Sequence, residues 1–258
     1  TKYILQGSPE EAGTSYRSAT LLAQNQLISK TASLADSHAK VIFWSEANAI
    51  VFEDDEKKFI NELDSLARKK QAFIFAPIAL INYGENLMTN KVVIISPLHG
   101  RMAEYIKSTI PPGEPSRKGI GQLEFVDSPF GKFGTAICFD MDFPGLLRQA
   151  GKNKANIVII PALDWKEIGA THAAMAKFRG IENGINVIRH AADGISTVTN
   201  PIGQTLARFD YLTLPDHTFL AELQVSRIQT LYTRMGNWLL YLSVLIFFGI
   251  ILMRGKQI

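Results

Sequence analysis

Apolar and polar positions along the chain follow two periods, which predict strands and helices in turn. Residues 39–44 form an apolar run typical of a buried strand, and residues 54–70 place apolar side chains on one face of a helix. A short apolar run at residues 2–5 predicts a further strand, and residues 18–37 have a helix-like pattern. The first part of the chain therefore predicts alternating strands and helices, as in an α/β fold.

Strand-like segments predominate in the rest of the chain, separated by turn-forming stretches rich in glycine, proline and asparagine. Helices are predicted at residues 144–150, where Pro144 stands at the first helical position, and at residues 171–183. The predicted strands are residues 72–81, 91–96, 102–106, 122–126, 134–138, 156–161, 186–190, 196–199, 204–209 and 218–225. We expect one large domain, without internal repeats.

The C-terminal region has the pattern of a membrane segment. Residues 238–253 carry no charge, and with residues 235–237 the run would give about 28 Å of helix. We therefore predict a transmembrane helix at 235–253, a short basic cytoplasmic tail at 254–258, and a catalytic domain at 1–230 on the outer face of the membrane. A buried core helix is the alternative. Since the chain starts in a strand-like run, we also expect export or membrane segments upstream of it.

Composition narrows the classes of function. The formal net charge is only +3, and basic residues are interspersed with acidic ones, so we expect no nucleic-acid partner. A single cysteine excludes an intrachain disulfide. His172 and His190 have no third ligand at metal spacing, so we expect them to cap or pack, and we predict no metal site.

The single cysteine, Cys138, is the first candidate for chemistry. It ends a predicted strand shortly before the helix that begins at Pro144, and a sharp strand-to-helix corner exposes a nucleophile. A free thiol has a pKa of about 8.5 and needs a base or a cation nearby to react at neutral pH. The alternative is a small buried hydrophobic residue.

Two charged residues at predicted strand ends are candidates to activate this thiol. Glu46 ends the buried run VIFWSE, where a carboxylate is unfavourable unless it is paired or functional. Lys107 ends the strand segment EYIK. Taken singly, the first could be a helix cap and the second a solvated lysine.

In the order Glu, Lys, Cys on successive strand ends, these residues resemble the nitrilase superfamily of carbon-nitrogen hydrolases and acyltransferases, over nearly the whole chain. The resemblance implies an αββα sandwich, in which two sheets face each other between outer helices. It implies that Glu46 in VIFWSE is the general base, that Lys107 in YIKSTIPPGE stabilises the oxyanion, and that Cys138 in GTAICFD is the nucleophile. Glu114 and Asp140 are candidates to orient the lysine or receive a proton, with surface loop acids as the alternative. No cofactor is implied.

Three further segments, KSTIPPGEP, HAAMAKFRGIENGINVIRHAADGIS and TLYTRMGNW, resemble the apolipoprotein N-acyltransferase branch. This implies an enzyme that moves an acyl chain from phospholipid, through a thioester on Cys138, to the N-terminal amine of a lipoprotein diacylglyceryl-cysteine. The implied partners are phospholipid, lipoprotein and membrane, and the implied location is the bacterial inner membrane with the catalytic domain on its periplasmic face. Trp165 is a candidate for lining the acyl site, or a core tryptophan. A membrane-tethered amidase and an inactive nitrilase-fold binding module remain alternatives.

Overall fold

Two β-sheets face each other in this protein, and helices cover their outer sides. The computed structural model describes residues 14–213 and 217–255, and it describes no side chains for residues 14–16, 252, 254 and 255. The strand predicted at residues 2–5 lies outside the described residues. The arrangement is the αββα sandwich that the sequence implied, so this prediction of the fold is confirmed.

The first sheet comes from the first half of the chain. The elements are α1 (Thr14–Asp36), β1 (Val41–Phe43), β2 (Ala49–Phe52), α2 (Glu53–Lys70), β3 (Phe73–Ile81), β4 (Thr89–Ser96) and β5 (Gly100–Ile106). The strand order is β1-β3-β4-β5, and β2 also pairs with β3. The first two strands run parallel to β3, whereas β4 and β5 continue antiparallel.

The second sheet comes from the second half. Its elements are β6 (Glu124–Ser128), β7 (Gly131–Thr135), a 3-10 helix (Cys138–Asp142), α3 (Pro144–Lys152), β8 (Ile157–Leu163), α4 (Gly169–Asn183), β9 (Asn186–Ala192), β10 (Ile195–Thr199) and β11 (Thr205–Asp210). The order is β11-β10-β9-β8-β7-β6, with β7, β8 and β9 parallel. The carboxyl ends of these three strands therefore meet at one edge, where sites in α/β folds are built.

Alternation along β3 shows how the layers are joined. Phe73 and Phe75 belong to the core between the two sheets, while Ile74 and Ala76 belong to a second core under the helices. This is the two-residue period of a strand buried on both faces. The apolar face predicted for α2 is the one that packs against this side of the sheet, through Phe59, Ile60, Leu63, Leu66 and Ala67.

The strand predicted at residues 218–225 is wrong. No strand forms along residues 217–230, where an isolated bridge pairs Arg227 with Ile185. Leu220 is 56% exposed, so this segment does not bury one face as a sheet strand does. Conversely, the strand β2 forms where the sequence predicted none.

The transmembrane helix predicted at residues 235–253 is not supported. Met235 ends a short helix, α5 (Leu231–Met235), and Gly236, at φ 63° and ψ −133°, interrupts the helical path before α6 (Trp238–Gly255). The uncharged part of α6 is thereby confined to residues 238–253, about 24 Å of helix against a hydrocarbon core of about 30 Å. Throughout the described ranges, no helix combines the length and the apolar character needed to cross a bilayer.

Candidate active site

Strand ends of both sheets bring the predicted residues to one place. Glu46 follows β1 and Lys107 follows β5 in the first sheet, and Cys138 follows β7 in the second. The backbone N–H of Glu46 donates to the carbonyl of Ala162 in β8 at 3.3 Å, which ties the two sheets together beside the site. Residues that are far apart in sequence thus share one small region.

Glu46 and Lys107 form a buried ion pair. The Lys107 Nζ donates to Glu46 Oε1 at 2.7 Å and to Glu114 Oε2 at 2.5 Å. Asn90 donates to both carboxylates, at 2.8 Å to Glu46 and 3.2 Å to Glu114. Ser116 donates at 2.7 Å to Glu114 Oε1, the same oxygen that Asn90 contacts. The lysine is therefore held between two carboxylates, and Glu114 contacts it directly.

Electrostatics keep this lysine protonated. Burial alone would lower the pKa of Lys107, but the Glu46 and Glu114 carboxylates outweigh burial and raise its pKa, and Cys138 adds to the effect. A protonated, immobile ammonium beside a sulfur is suited to stabilising negative charge that develops on a bound carbonyl oxygen.

Cys138 lies at a sharp backbone corner. Its φ is 44°, in the left-handed region that residues with a side chain seldom adopt, and it begins the 3-10 helix instead of ending a strand as predicted. The side chain is only 6% exposed. Burial raises the pKa of the Cys138 thiol well above its ordinary value, the Glu46 carboxylate raises it further, and Lys107 opposes both. The resting group is therefore a protonated thiol that needs a base.

The main chain of Leu163 contacts both the carboxylate and the thiol, through the two successive peptide groups that flank its Cα. The backbone N–H of Leu163 donates to Glu46 Oε2 at 2.9 Å, and its carbonyl accepts from the Cys138 thiol, with Sγ and O 3.7 Å apart. Sequence reasoning missed this contact, because it is made by the main chain and carries no residue signature.

Hydrogen bonds to Asp140 connect the loop after Lys107 to the backbone corner at Cys138. Its fully buried carboxylate accepts five hydrogen bonds and makes no contact with the lysine itself. Burial raises the pKa of Asp140 even though these hydrogen bonds oppose it. The donors are the N–H groups of Ser108 (3.1 Å), Thr109 (2.7 Å) and Ile137 (2.9 Å) and the hydroxyls of Thr109 (2.6 Å) and Tyr105 (2.7 Å). Asp140 is therefore a buried structural link and not a surface loop acid.

A second charged cluster, which the sequence analysis did not identify, adjoins the sulfur. Asp164 accepts from Arg189 at 2.6 and 2.7 Å, and His172 Nδ1 lies 3.0 Å from the same carboxylate. Although burial opposes it, these partners lower the pKa of Asp164. Cys138, Asp164 and His172 offer donor atoms that all lie within 4.8 Å of one another. Because Arg189 takes both oxygens of Asp164, we interpret the cluster as a charge-paired network and not as a metal site. His172 is thus a member of this network, whereas it was expected only to cap or pack.

Large apolar side chains are exposed close in sequence to Cys138 and to its carbonyl partner Leu163. Phe143 and Leu163 are each 42% exposed, and Trp165 is 58% exposed. The rings of Trp165 and His172 pack in a T-shaped arrangement, with their centroids 6.2 Å apart. These residues come from the two turns that carry Cys138 and its carbonyl partner. Trp165 is therefore not a core tryptophan.

Comparison with known proteins finds a matching family and several relatives. The carbon-nitrogen hydrolase family matches residues 4–233. The probable hydrolase nit2 of Schizosaccharomyces pombe is 24% identical over 242 residues, which is 81% of this chain and 87% of that protein. The apolipoprotein N-acyltransferase of Rickettsia prowazekii is 25% identical over 230 residues, 79% of this chain but 46% of that protein. The same-named protein of Borreliella burgdorferi is 32% identical over 121 residues, 45% of this chain and 23% of that protein. The chain spans less than half the length of these two N-acyltransferases.

Solved structures share the fold. An amidase from Nesterenkonia sp. superposes with a TM-score of 0.65 at 15% identity, covering 74% of this chain and 81% of that one. Nit3 of Saccharomyces cerevisiae, a member of the nitrilase superfamily, gives a TM-score of 0.66 at 18% identity, covering 74% and 80%. At these identities the likeness concerns the fold alone.

Proposed function

Because this chain belongs to the carbon-nitrogen hydrolase family, we propose that it is a thiol-dependent acyltransferase of the N-acyltransferase type. Its donor is a phospholipid, and its acceptor is the N-terminal amine of a lipoprotein diacylglyceryl-cysteine. It acts at the bacterial inner membrane with its catalytic domain on the periplasmic face. Similarity to two apolipoprotein N-acyltransferases supports this choice of substrates.

The observation that carries the proposal is a set of exposed apolar side chains on the segments that contain Cys138 and its carbonyl partner, which we call the apolar rim. These side chains are Phe143, Leu163 and Trp165. An acyl chain gains free energy from contact with such a rim, at about 25 cal/mol for each Å² removed from water. A small polar amide would not.

In the first half-reaction the thiol is acylated. Glu46 takes the proton from the Cys138 thiol as the sulfur attacks the ester carbonyl of the phospholipid. Lys107 and backbone N–H groups beside the sulfur stabilise the oxyanion. The lysophospholipid alkoxide then leaves with the proton that Glu46 had taken, and a thioester remains on the enzyme.

In the second half-reaction the thioester is consumed. The acceptor amine attacks the thioester carbonyl, an amide bond forms, and the carbon-sulfur bond breaks. Glu46 receives the proton lost by the nitrogen and returns it to the sulfur. Glu114 keeps Lys107 in place through both halves, and the two-step route gives ping-pong kinetics.

Hydrolysis is the second candidate function. The S. pombe relative, described as a probable hydrolase, matches 87% of its own length. In this reaction water replaces the amine and the thioester is released as a free acid. The same group of Glu46, Lys107 and Cys138 would serve it.

The two functions are separated by the fate of the acyl group. The protein is incubated with vesicles of acyl-labelled phospholipid and a diacylated lipopeptide, and intact mass spectrometry follows Cys138 and the lipopeptide. We expect an acyl adduct that hydroxylamine removes, and a triacylated lipopeptide that does not form when the amine is acetylated. Cys138→Ser should abolish the hydroxylamine-sensitive adduct.

Two other outcomes contradict the proposal in different ways. An adduct that is released as free acid, whether or not the amine is present, assigns a hydrolase. If the wild type forms no adduct and Cys138 resists mild thiol reagents, the protein is an inactive binding module of this fold.

A further inference from the structure

We propose that Asp164 is a positioning residue, which acts with Arg189 and His172 to fix the main chain of Leu163 against both the base and the nucleophile. The inference rests on the proposed roles of Glu46 and Cys138. It adds a requirement outside the Glu, Lys and Cys group: the charged cluster next to the sulfur holds the residue whose main chain contacts both Glu46 and Cys138.

The main chain of Leu163 is the contact through which this cluster acts. The Leu163 N–H orients one oxygen of Glu46, and the Leu163 carbonyl, in the peptide group that it shares with Asp164, accepts from the Cys138 thiol. If the backbone at Leu163 moved, the carboxylate and the thiol would both lose a hydrogen bond that positions them. Misplacing a catalytic group by about 1 Å is enough to reduce a rate by about 100-fold.

Asp164 follows Leu163 directly in the chain, and three groups hold it. Its backbone N–H donates to Ala192 at 2.9 Å at the end of β9. Its carboxylate has no exposure and pairs with Arg189 from β9 and His172 from α4. The guanidinium also donates to the carbonyl of Ile195 in β10 at 2.7 Å.

Packing leaves the carboxylate no room to move. A Cβ added to Gly194 would lie 2.2 Å from Asp164 Oδ2, so the backbone between β9 and β10 closes directly over it. Only a residue without a side chain fits there. The carboxylate is thus confined by Arg189 and His172 on two sides and by backbone on a third, as a fixed anchor requires.

The test is a double-mutant cycle read out on the thiol, and it needs no acyl donor. The rate of alkylation of Cys138 by iodoacetamide is measured against pH by intact mass spectrometry. The charged groups near this thiol are Glu46, Lys107 and Asp164, with His172 beside them. Glu46→Gln should lower the alkylation midpoint by about one pH unit, because a negative charge is removed.

In the Asp164→Asn background we expect Glu46→Gln to shift the midpoint by less than half as much, because the main chain of Leu163 no longer holds both the carboxylate and the thiol in place. Arg189→Lys keeps the positive charge but loses the contact with both oxygens of Asp164. In this background, Glu46→Gln should shift the alkylation midpoint by an intermediate amount. This second variant preserves the test if the first fails to fold.

Lys91→Met is the matched control. Lys91 is also a buried ammonium, paired with Glu56 at 2.6 Å and Glu104 at 3.1 Å. Glu56 belongs to α2, so this pair lies on the helix-covered face of the sheet. We expect a loss of thermal stability in this variant. When Glu46→Gln is added to it, the alkylation midpoint should shift by as much as in the wild-type background.

An equal Glu46→Gln shift in the wild type, Asp164→Asn and Arg189→Lys backgrounds would overturn the positioning role and leave Asp164 a structural residue. If Glu46→Gln has no effect even in the wild type, the proposed pairing of base and nucleophile fails instead.

Discussion

Replacing Glu46 with Gln should have opposite effects on the thiol and on catalysis. The substitution keeps the shape of the side chain but removes its charge and its ability to take a proton. Since the Glu46 carboxylate raises the pKa of Cys138, the pKa should fall in the variant and more of the sulfur should be thiolate. Acylation should nevertheless slow, because the group that shuttles the proton is gone.

The contacts of Glu46 set the size of the expected changes in rate and in stability. Losing a general base lowers a rate by roughly 10²–10⁴-fold, or about 2.7–5.4 kcal/mol. The amide oxygen can keep the bonds to Lys107 and Asn90, but its NH₂ group then faces the N–H of Leu163. One unsatisfied buried donor and a weakened bond to the lysine amount to about 2–4 kcal/mol of stability, or roughly 4–16 °C in Tm.

Three measurements check this reasoning: acyl-adduct formation, the pH dependence of thiol alkylation, and thermal unfolding. Glu56→Gln is the control, because Glu56 is also a carboxylate paired with a buried lysine that keeps a second acid, Glu104. It should lower Tm without changing the thiol. An alkylation midpoint that stays unchanged or rises in Glu46→Gln would refute the electrostatic argument, and undiminished acylation would refute the role of base.

Further predictions concern charge, packing and pH. Lys107→Met should raise the pKa of the Cys138 thiol, whereas Glu46→Gln should lower it, and should slow acylation by roughly 10²–10³-fold. The pH dependence of thiol alkylation measures the first effect, and acyl-adduct formation measures the second. Gly194→Ala should destabilise by about 1–3 kcal/mol in urea unfolding, because its Cβ meets Asp164, whereas Gly145→Ala, with no atom within 4 Å, should change stability by less than about 1 kcal/mol. Burial, with Arg189 nearby, lowers the pKa of His190 to about 4, so stability present above pH 6.5 should be lost as the pH falls towards 4. His190→Gln should flatten that part of the stability profile, as followed by thermal melts across the range.

Local pattern predicted the regular elements well where each buries one face. The helix predicted at residues 54–70 forms at Glu53–Lys70, because acids at its start, bases at its end and one apolar face all favour it. Residues 218–225 have strand-like composition but do not pair, since composition does not say whether a sheet edge is available. The four-residue strand Ala49–Phe52 was too short to produce a pattern.

The site was predictable only in part. Resemblance identified Glu46, Lys107 and Glu114, which the structure brings into contact, but it gave no sign of Asn90 or of the peptide at Leu163. Arg189 did leave a signal, because a charged residue inside a buried strand requires a partner. Following that signal would have led to Asp164. The contact between the cluster and the sulfur depends on how the strands are packed and could not have been predicted.

Main-chain recognition at Leu163 separates chemistry from selectivity in this protein. Both reacting groups are bound by the main chain of residue 163, so any amino acid except proline, which lacks the N–H, can supply those bonds. The side chain at the same position is 42% exposed. Substitutions there can reshape which molecules are admitted while the reaction machinery stays intact, so the position offers a route to new substrate ranges that an inventory of catalytic side chains would overlook.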